Sequence, residues 1–90
     1  MNHNFPNMFK PIQIGTVTVP NRFVVPPMGN NFANPDGSMS DRSAAYYEAR
    51  AKGGFGLITI ESTVVYKEAK GGPRKPCLFD DAVIPSFKAV

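Results

Sequence analysis

Two short apolar runs end in residues suited to holding a flat ligand. The first, Phe23-Val24-Val25, runs directly into Pro26-Pro27-Met28-Gly29. Proline has no N–H to give a sheet ladder, so a central strand stops there. A strand that stops this way before a glycine leaves a rigid apolar ledge. Neighbouring N–H and C=O groups remain free for the polar edge of an aromatic ligand. The second run, Leu57-Ile58-Thr59-Ile60, ends in Glu61-Ser62, one β-α unit further on. Two strand ends of this kind point to a binding site more strongly than either alone.

The residues between and around these runs predict the elements that would position them. Ile12-Gln13-Ile14-Gly15-Thr16-Val17-Thr18-Val19 alternates apolar and polar residues about Gly15-Thr16, the pattern of a two-stranded hairpin. Pro20-Asn21 punctuates it, and Arg22 leads into the first apolar run. Asn34-Pro35-Asp36-Gly37 is a tight-turn sequence, so residues 29–39 are expected to loop over the end of that strand. Ser40 or Asp41 can cap a helix through Lys52, with Arg50 and Lys52 in its last turn and Gly53 placed to stop it. Gly54-Phe55-Gly56 turns the chain into Leu57–Ile60. Asp80 to Val90 reads as the start of a second helix, with Pro85 in its first turn.

The chain thus divides into an arm at 1–11, a hairpin at 12–19, a β-α-β unit at 22–62, a loop at 63–79 and a helix start at 80–90. Apolar strands separated by one helix indicate a parallel sheet covered on its outer face. A β-α-β series with polar residues at its C-terminal strand ends is how a (β/α)₈ barrel builds an active site. In that architecture the hairpin would plug the bottom of the barrel.

Composition excludes several other classes. A chain of 90 residues with 42% hydrophobic and 19% charged residues is an ordinary folded one, not a disordered one. No secretory signal is visible at the start, and no segment approaches the roughly 20 apolar residues needed to span a bilayer. The single cysteine, Cys77, excludes an internal disulfide and a multi-cysteine metal site, which makes a reducing cytoplasm the expected location. The formal net charge of +3 is concentrated where Lys67, Lys70, Arg74 and Lys75 outweigh Glu68 in one Gly- and Pro-rich loop. Only Tyr66 interleaves with those cations, so nucleic acid is not the expected partner. The cluster is either a solvated loop or a loop that attracts an anionic ligand.

Four ordered motifs carry a family resemblance. Met8-Phe9-Lys10-Pro11-Ile12-Gln13-Ile14-Gly15, Asn21-Arg22-Phe23-Val24-Val25-Pro26-Pro27-Met28, Tyr47 through Ile58 with its Glu-Ala-Arg-Ala-Lys-Gly-Gly core, and Asp80-Asp81 with Ile84-Pro85 closely resemble the start of the Old Yellow Enzyme family. The match favours the branch of 2,4-dienoyl-CoA reductases, enoate reductases and other NADH:flavin oxidoreductases. The resemblance implies an α/β fold, the N-terminal portion of an FMN-binding (β/α)₈ TIM barrel. It implies hydride transfer from NAD(P)H through FMN to an activated C=C bond of a small unsaturated substrate. By position, Pro26, Pro27, Met28 and Gly29 match the first-strand segment that lines the isoalloxazine ring, and Ser62 matches a second-strand position beside it. Many members carry Thr or Cys where Gly29 stands, so tuning by that side chain is missing here. FAD and an iron–sulfur cluster occur in downstream domains of some members.

Blander readings stand beside these. Pro26-Pro27 can simply end a strand, and Met28 can be a core filler. Glu61 is open to a structural ion pair or a direct cofactor role, and Arg22 to a stabilising role at the barrel's bottom face. Cys77 reads as an ordinary thiol, and His3 is assigned nothing. Gly54-Phe55-Gly56 precedes a strand and lacks a third glycine, which rules out a dinucleotide loop. A complete barrel needs about 250 residues. The resemblance implies that the proton donor, the His/Asn-type substrate anchor and the phosphate-binding loops after strands seven and eight come later in the family's chain, so no catalytic residue is assigned here. An inactive truncated fragment, acting at most as a subunit or interaction piece, and a small independent ligand-binding module are the competing readings.

Overall fold

The structure, a computed structural model, describes residues 4–67 and 74–90. Hairpin strands β1 (Ile12–Ile14) and β2 (Val17–Val19) pair antiparallel, with Ile12 opposite Val19. Most of the hairpin is exposed, Val17 at 61%, and Val19 alone is buried. The chain then enters β3 (Val24–Val25), which pairs in parallel with β4 (Leu57–Ile58) in the register Val24–Leu57 and Val25–Ile58. Between them lies helix α1 (Asp41–Lys52).

Both parallel strands are shorter than their apolar runs, for a physical reason. The ladder runs from Gly56 and Leu57 N–H on the Phe23 carbonyl to Thr59 N–H on the Val25 carbonyl. Beyond that rung the partner strand offers only Pro26 and Pro27, which have no N–H to donate. Ile60 and Glu61 therefore leave the ladder, although they continue in the same direction.

Alternation along the strands fixes two faces. Val25 is 4% exposed and lies toward α1, whereas Val24 and its partner Leu57 are exposed on the opposite face. The second face is the one that a closed barrel would turn inward. Uncovered apolar surface of this kind recurs across the chain. Its accessible area is 6319 Å², against about 5,200 Å² for a compact monomer of this mass. Its radius of gyration is 15.4 Å, against about 12 Å for a compact domain of this length.

Helix α1 has the expected ends. Ser40 Oγ accepts the Ser43 N–H at 3.0 Å and donates to the Phe32 carbonyl. Asp41 stands in the first turn and Arg50 and Lys52 in the last. The exit differs in one detail. Gly53 is still right-handed, and Gly54 takes the left-handed conformation at φ +100°. Asn21 secures this exit, since its Nδ2 donates to the Gly54 carbonyl at 2.7 Å while its Oδ1 accepts the Phe23 N–H at 3.0 Å.

The second helix also starts later than the sequence suggests. Asp80 caps a 3-10 turn (Asp81–Val83) by accepting the Ala82 N–H, and α2 (Ile84–Ala89) follows with Pro85 in its first turn. Ser86 Oγ accepts the Met39 N–H at 2.9 Å, docking α2 onto the loop that precedes α1. Of the basic loop, Glu68 and Lys70 lie outside the described residues, as does His3. The described part returns to the body of the fold: Val64 and Cys77 form a parallel bridge, and Cys77 N–H donates to the Gly37 carbonyl at 2.9 Å. Gly37 sits at φ +90°, and a Cβ there would lie 2.5 Å from Cys77 Cβ. Turn and bridge thus interlock at a position only glycine can fill.

Candidate functional site

The parallel register of β3 and β4 brings the two strand ends to the same side. Pro26, Pro27, Met28 and Gly29 leave β3, and Glu61 and Ser62 follow β4, all at the C-terminal end of the pair. The five residues singled out from the sequence, Pro26, Pro27, Met28, Gly29 and Ser62, are all solvent-exposed. Met28 is 49% exposed, so it is not a core filler within this chain. The ledge is therefore an open apolar surface. Among the described residues, neither Met28 N–H nor Gly29 N–H bonds a protein group.

Glu61 behaves differently from its neighbour. It is 4% exposed and lies beneath the segment that follows the ledge. Its Oε2 accepts the Asn30 N–H at 3.2 Å, and its own N–H donates to the Tyr47 hydroxyl at 3.0 Å. No cation pairs with it among the described residues. Glu61 Oε1 and Asn30 Nδ2 are buried without a hydrogen-bond partner among those residues, although the Asn30 amide lies near enough to the Tyr47 hydroxyl to stabilise its anion slightly. Burial pushes the Tyr47 phenol above the ordinary tyrosine range, and this outweighs the Glu61 N–H, which acts in the opposite direction. At neutral pH Tyr47 is thus a neutral pillar linking α1 to the end of β4.

Sequence reading singled out neither Tyr47 nor Asn30 for this work. Tyr47 sits in an adjacent tyrosine pair, and only the packing of α1 shows which ring turns inward. Asn30 acts through its backbone N–H, which leaves no trace in residue type. A separate cavity of about 430 Å³, lined by Phe9, Asn21, Phe23, Gly53, Gly54 and Phe55, lies at the opposite, N-terminal end of the strands. Barrel enzymes work at the C-terminal end, so that cavity belongs to the packing of the bottom face.

Comparison with known proteins agrees with this geometry. The profile of the NADH:flavin oxidoreductase / NADH oxidase family matches residues 7–90. The chain belongs to that family. NADH oxidase from Thermoanaerobacter brockii is 46% identical over 88 residues, covering 97% of this chain and 13% of the relative. Cinnamate reductase from Clostridium sporogenes is 39% identical over 80 residues, covering 86% of this chain and 12% of its own. Among solved structures, a 2-naphthoyl-CoA reductase in complex with 2-naphthoyl-CoA superposes with a TM-score of 0.91 at 31% identity, over 94% of this chain and 13% of that one. Old Yellow Enzyme from Pichia sp. AKU4542 gives 0.84 at 28% identity, over 92% of this chain and 22% of its own. The chain thus spans about an eighth of the first two relatives. Its fold is the N-terminal portion of an Old Yellow Enzyme TIM barrel.

The residues present fit the flavin that defines this NADH:flavin oxidoreductase family. A planar tricyclic ring needs a flat apolar support and hydrogen-bond groups at its edge. Pro26, Pro27 and Met28 offer the first, and the free N–H groups at positions 28 and 29 with the Ser62 hydroxyl offer the second. Gly29 leaves room at the ledge, since a Cβ there would meet only Glu61 Oε2, at 3.9 Å.

Proposed function

We propose that the full-length protein is an FMN-dependent oxidoreductase that transfers hydride from NAD(P)H to an activated C=C bond. The observation that carries this reading is the exposed ledge at the shared C-terminal end of β3 and β4, in a chain of the NADH:flavin oxidoreductase family. Cinnamate and 2-naphthoyl-CoA, in the names of its relatives, each place an acyl group beside unsaturated carbon. A small unsaturated acyl compound is accordingly the proposed substrate class.

Bound FMN would supply the two-electron chemistry. The tasks of this chain are to support and to orient. Pro26, Pro27 and Met28 would lie against the ring, Gly29 N–H and Ser62 would bond its edge, and Glu61 would hold the Asn30 turn beneath it. Gly29 offers no side chain to tune the flavin, leaving that task to backbone donors. The proton donor, the substrate anchor and the phosphate-binding loops would come from the remainder of the barrel. FAD and an iron–sulfur cluster are proposed for domains beyond it, and the cytoplasm as the location. No helix among the described residues is long and apolar enough to cross a membrane.

The test is anaerobic absorption spectroscopy on the full-length protein. NADH or NADPH should bleach the flavin band, and cinnamate or a related enoyl compound should restore it. A purified full-length protein without flavin, or one whose flavin neither nucleotide reduces, overturns the reading. The 90 residues by themselves, with apolar faces uncovered and no proton donor, are expected to be inactive.

A further inference from the structure

A second pocket opens directly beside the ledge. It has a volume of about 440 Å³ and is lined by Asn30, Asn31, Phe32, Arg42 and Arg74. Arg42 comes from the first turn of α1, and Arg74 from the described part of the basic loop. The topology thus brings two guanidinium groups, 32 positions apart in sequence, to one small cavity. Among the described residues neither forms an ion pair; the salt bridge found there is Glu48–Lys52 on the exposed face of α1.

Three of the lining residues, Asn30, Phe32 and Arg42, are tied to one another or to the body of the fold. Arg42 lies over the Phe32 ring, 4.1 Å from its centroid, and Phe32 meets Tyr46 edge-on at 5.8 Å. Phe32 N–H donates to Asn30 Oδ1 at 3.0 Å, while Asn30 N–H is tied to Glu61. Asn31 holds a left-handed turn at φ 63° and is exposed. Consecutive Cα atoms are about 3.8 Å apart, so Gly29 and Asn31 are separated by about 7.6 Å or less. A molecule stacked at Gly29 can therefore place a charged substituent in this pocket.

We propose that Arg42 and Arg74, with Asn31, form a site for an oxyanion carried by one of the reactants, a carboxylate or a phosphate. Two guanidinium groups without carboxylate partners among the described residues favour a planar or tetrahedral oxyanion through charge-assisted bonds, which a neutral group does not reproduce. This inference rests on the proposed flavin site, because the pocket matters as an extension of the ledge. The source of the oxyanion is either the unsaturated substrate or the nicotinamide nucleotide.

The test uses the full-length flavoprotein and its Arg42→Gln and Arg74→Gln variants. Binding of cinnamate and of uncharged cinnamamide is read from the perturbation of the flavin absorption band. The KM for anaerobic flavin reduction is measured with NADH and NADPH. A substrate site predicts that the ratio of Kd for cinnamate to Kd for cinnamamide rises about tenfold in each variant. A nucleotide site predicts that this ratio holds while the nucleotide KM rises by a similar factor. A merely structural role for Arg42, through its contact with Phe32, would weaken both ligands alike and leave the ratio unchanged. Unchanged ratios and unchanged nucleotide KM in Arg74→Gln, which lacks that contact, overturn the proposal. Failure of the unmodified protein to bind flavin or accept electrons would instead sink the proposed function.

Discussion

The backbone N–H of Asn30 donates to the buried Glu61 carboxylate at 3.2 Å, joining the turn after the first parallel strand to the end of the second. This bond ties down the residue that directly follows Gly29. Glu61→Ala leaves the Asn30 N–H without its acceptor at a cost of about 1–3 kcal/mol. In the full-length protein we expect a lower Tm and roughly tenfold weaker FMN retention. Glu61→Gln keeps a carbonyl oxygen for the same N–H and should stay closer to the unmodified protein. Calorimetry and flavin fluorescence after dialysis check both. Equal behaviour of Ala, Gln and the parent would remove Glu61 from the site's support.

Gly29→Thr tests where the ring edge lies. The added Cβ meets Glu61 Oε2 at an ordinary 3.9 Å, so the backbone need not move. FMN should remain bound while its reduction potential shifts by about 30 mV, tenfold in relative affinity for the two redox states. Redox titration against dyes of known potential reads this. No shift, or outright loss of FMN, places Gly29 away from the ring edge.

Tyr47 gives the structure a pH-dependent weakness on the alkaline side. Burial favours the neutral phenol and raises its pKa above the ordinary value of 10.0. Its contribution is fully present below that value and is lost as pH climbs through the raised folded pKa. Near neutral pH, Tyr47→Phe should destabilise the full-length protein by about 1–2 kcal/mol, because the Glu61 N–H loses its acceptor. Above about pH 10 the gap should narrow, because only the unmodified protein carries this ionisation. Chemical denaturation at both pH values measures the gap, and a gap that widens contradicts the assignment.

Gly37→Ala should be among the more damaging small substitutions in the chain. It imposes a side chain at φ +90° and drives a Cβ to 2.5 Å from Cys77 Cβ. Overpacking of this kind costs about 1–3 kcal/mol, with backbone strain added. A drop in Tm of several degrees is expected, together with faster proteolysis beside the Val64–Cys77 bridge. Pairing it with Cys77→Gly, which removes the opposing atoms, should recover part of the loss.

Helix α1 and the parallel pairing were legible because their signals are local. Ser40 and the glycines after Lys52 bracket the helix, and one helix between two apolar runs implies a right-handed crossover. Strand lengths were less legible, since the end of β4 depends on donors missing from Pro26 and Pro27 in the other strand. The ledge residues could be picked out because proline and glycine carry their backbone constraints in their identity. The support beneath them could not. The Tyr47–Glu61 bond, the Asn30–Glu61 bond and the Val64–Cys77 bridge join residues distant in sequence, and in each of them at least one partner is a backbone group common to every residue type. Arg74 showed only as part of a basic loop, and its meeting with Arg42 is a product of the fold.

Expression of residues 1–90 alone tests the central claim, that this is one portion of a flavin barrel and not an independent binding module. The exposed faces of Val24 and Leu57, the outer edges of β3 and β4, unpaired among the described residues, and the excess surface leave too little burial to offset chain entropy. The account predicts an aggregated or weakly structured product, without sharp near-UV circular dichroism and colourless after dialysis against excess FMN. A soluble 90-residue protein that melts cooperatively and stays yellow would contradict it.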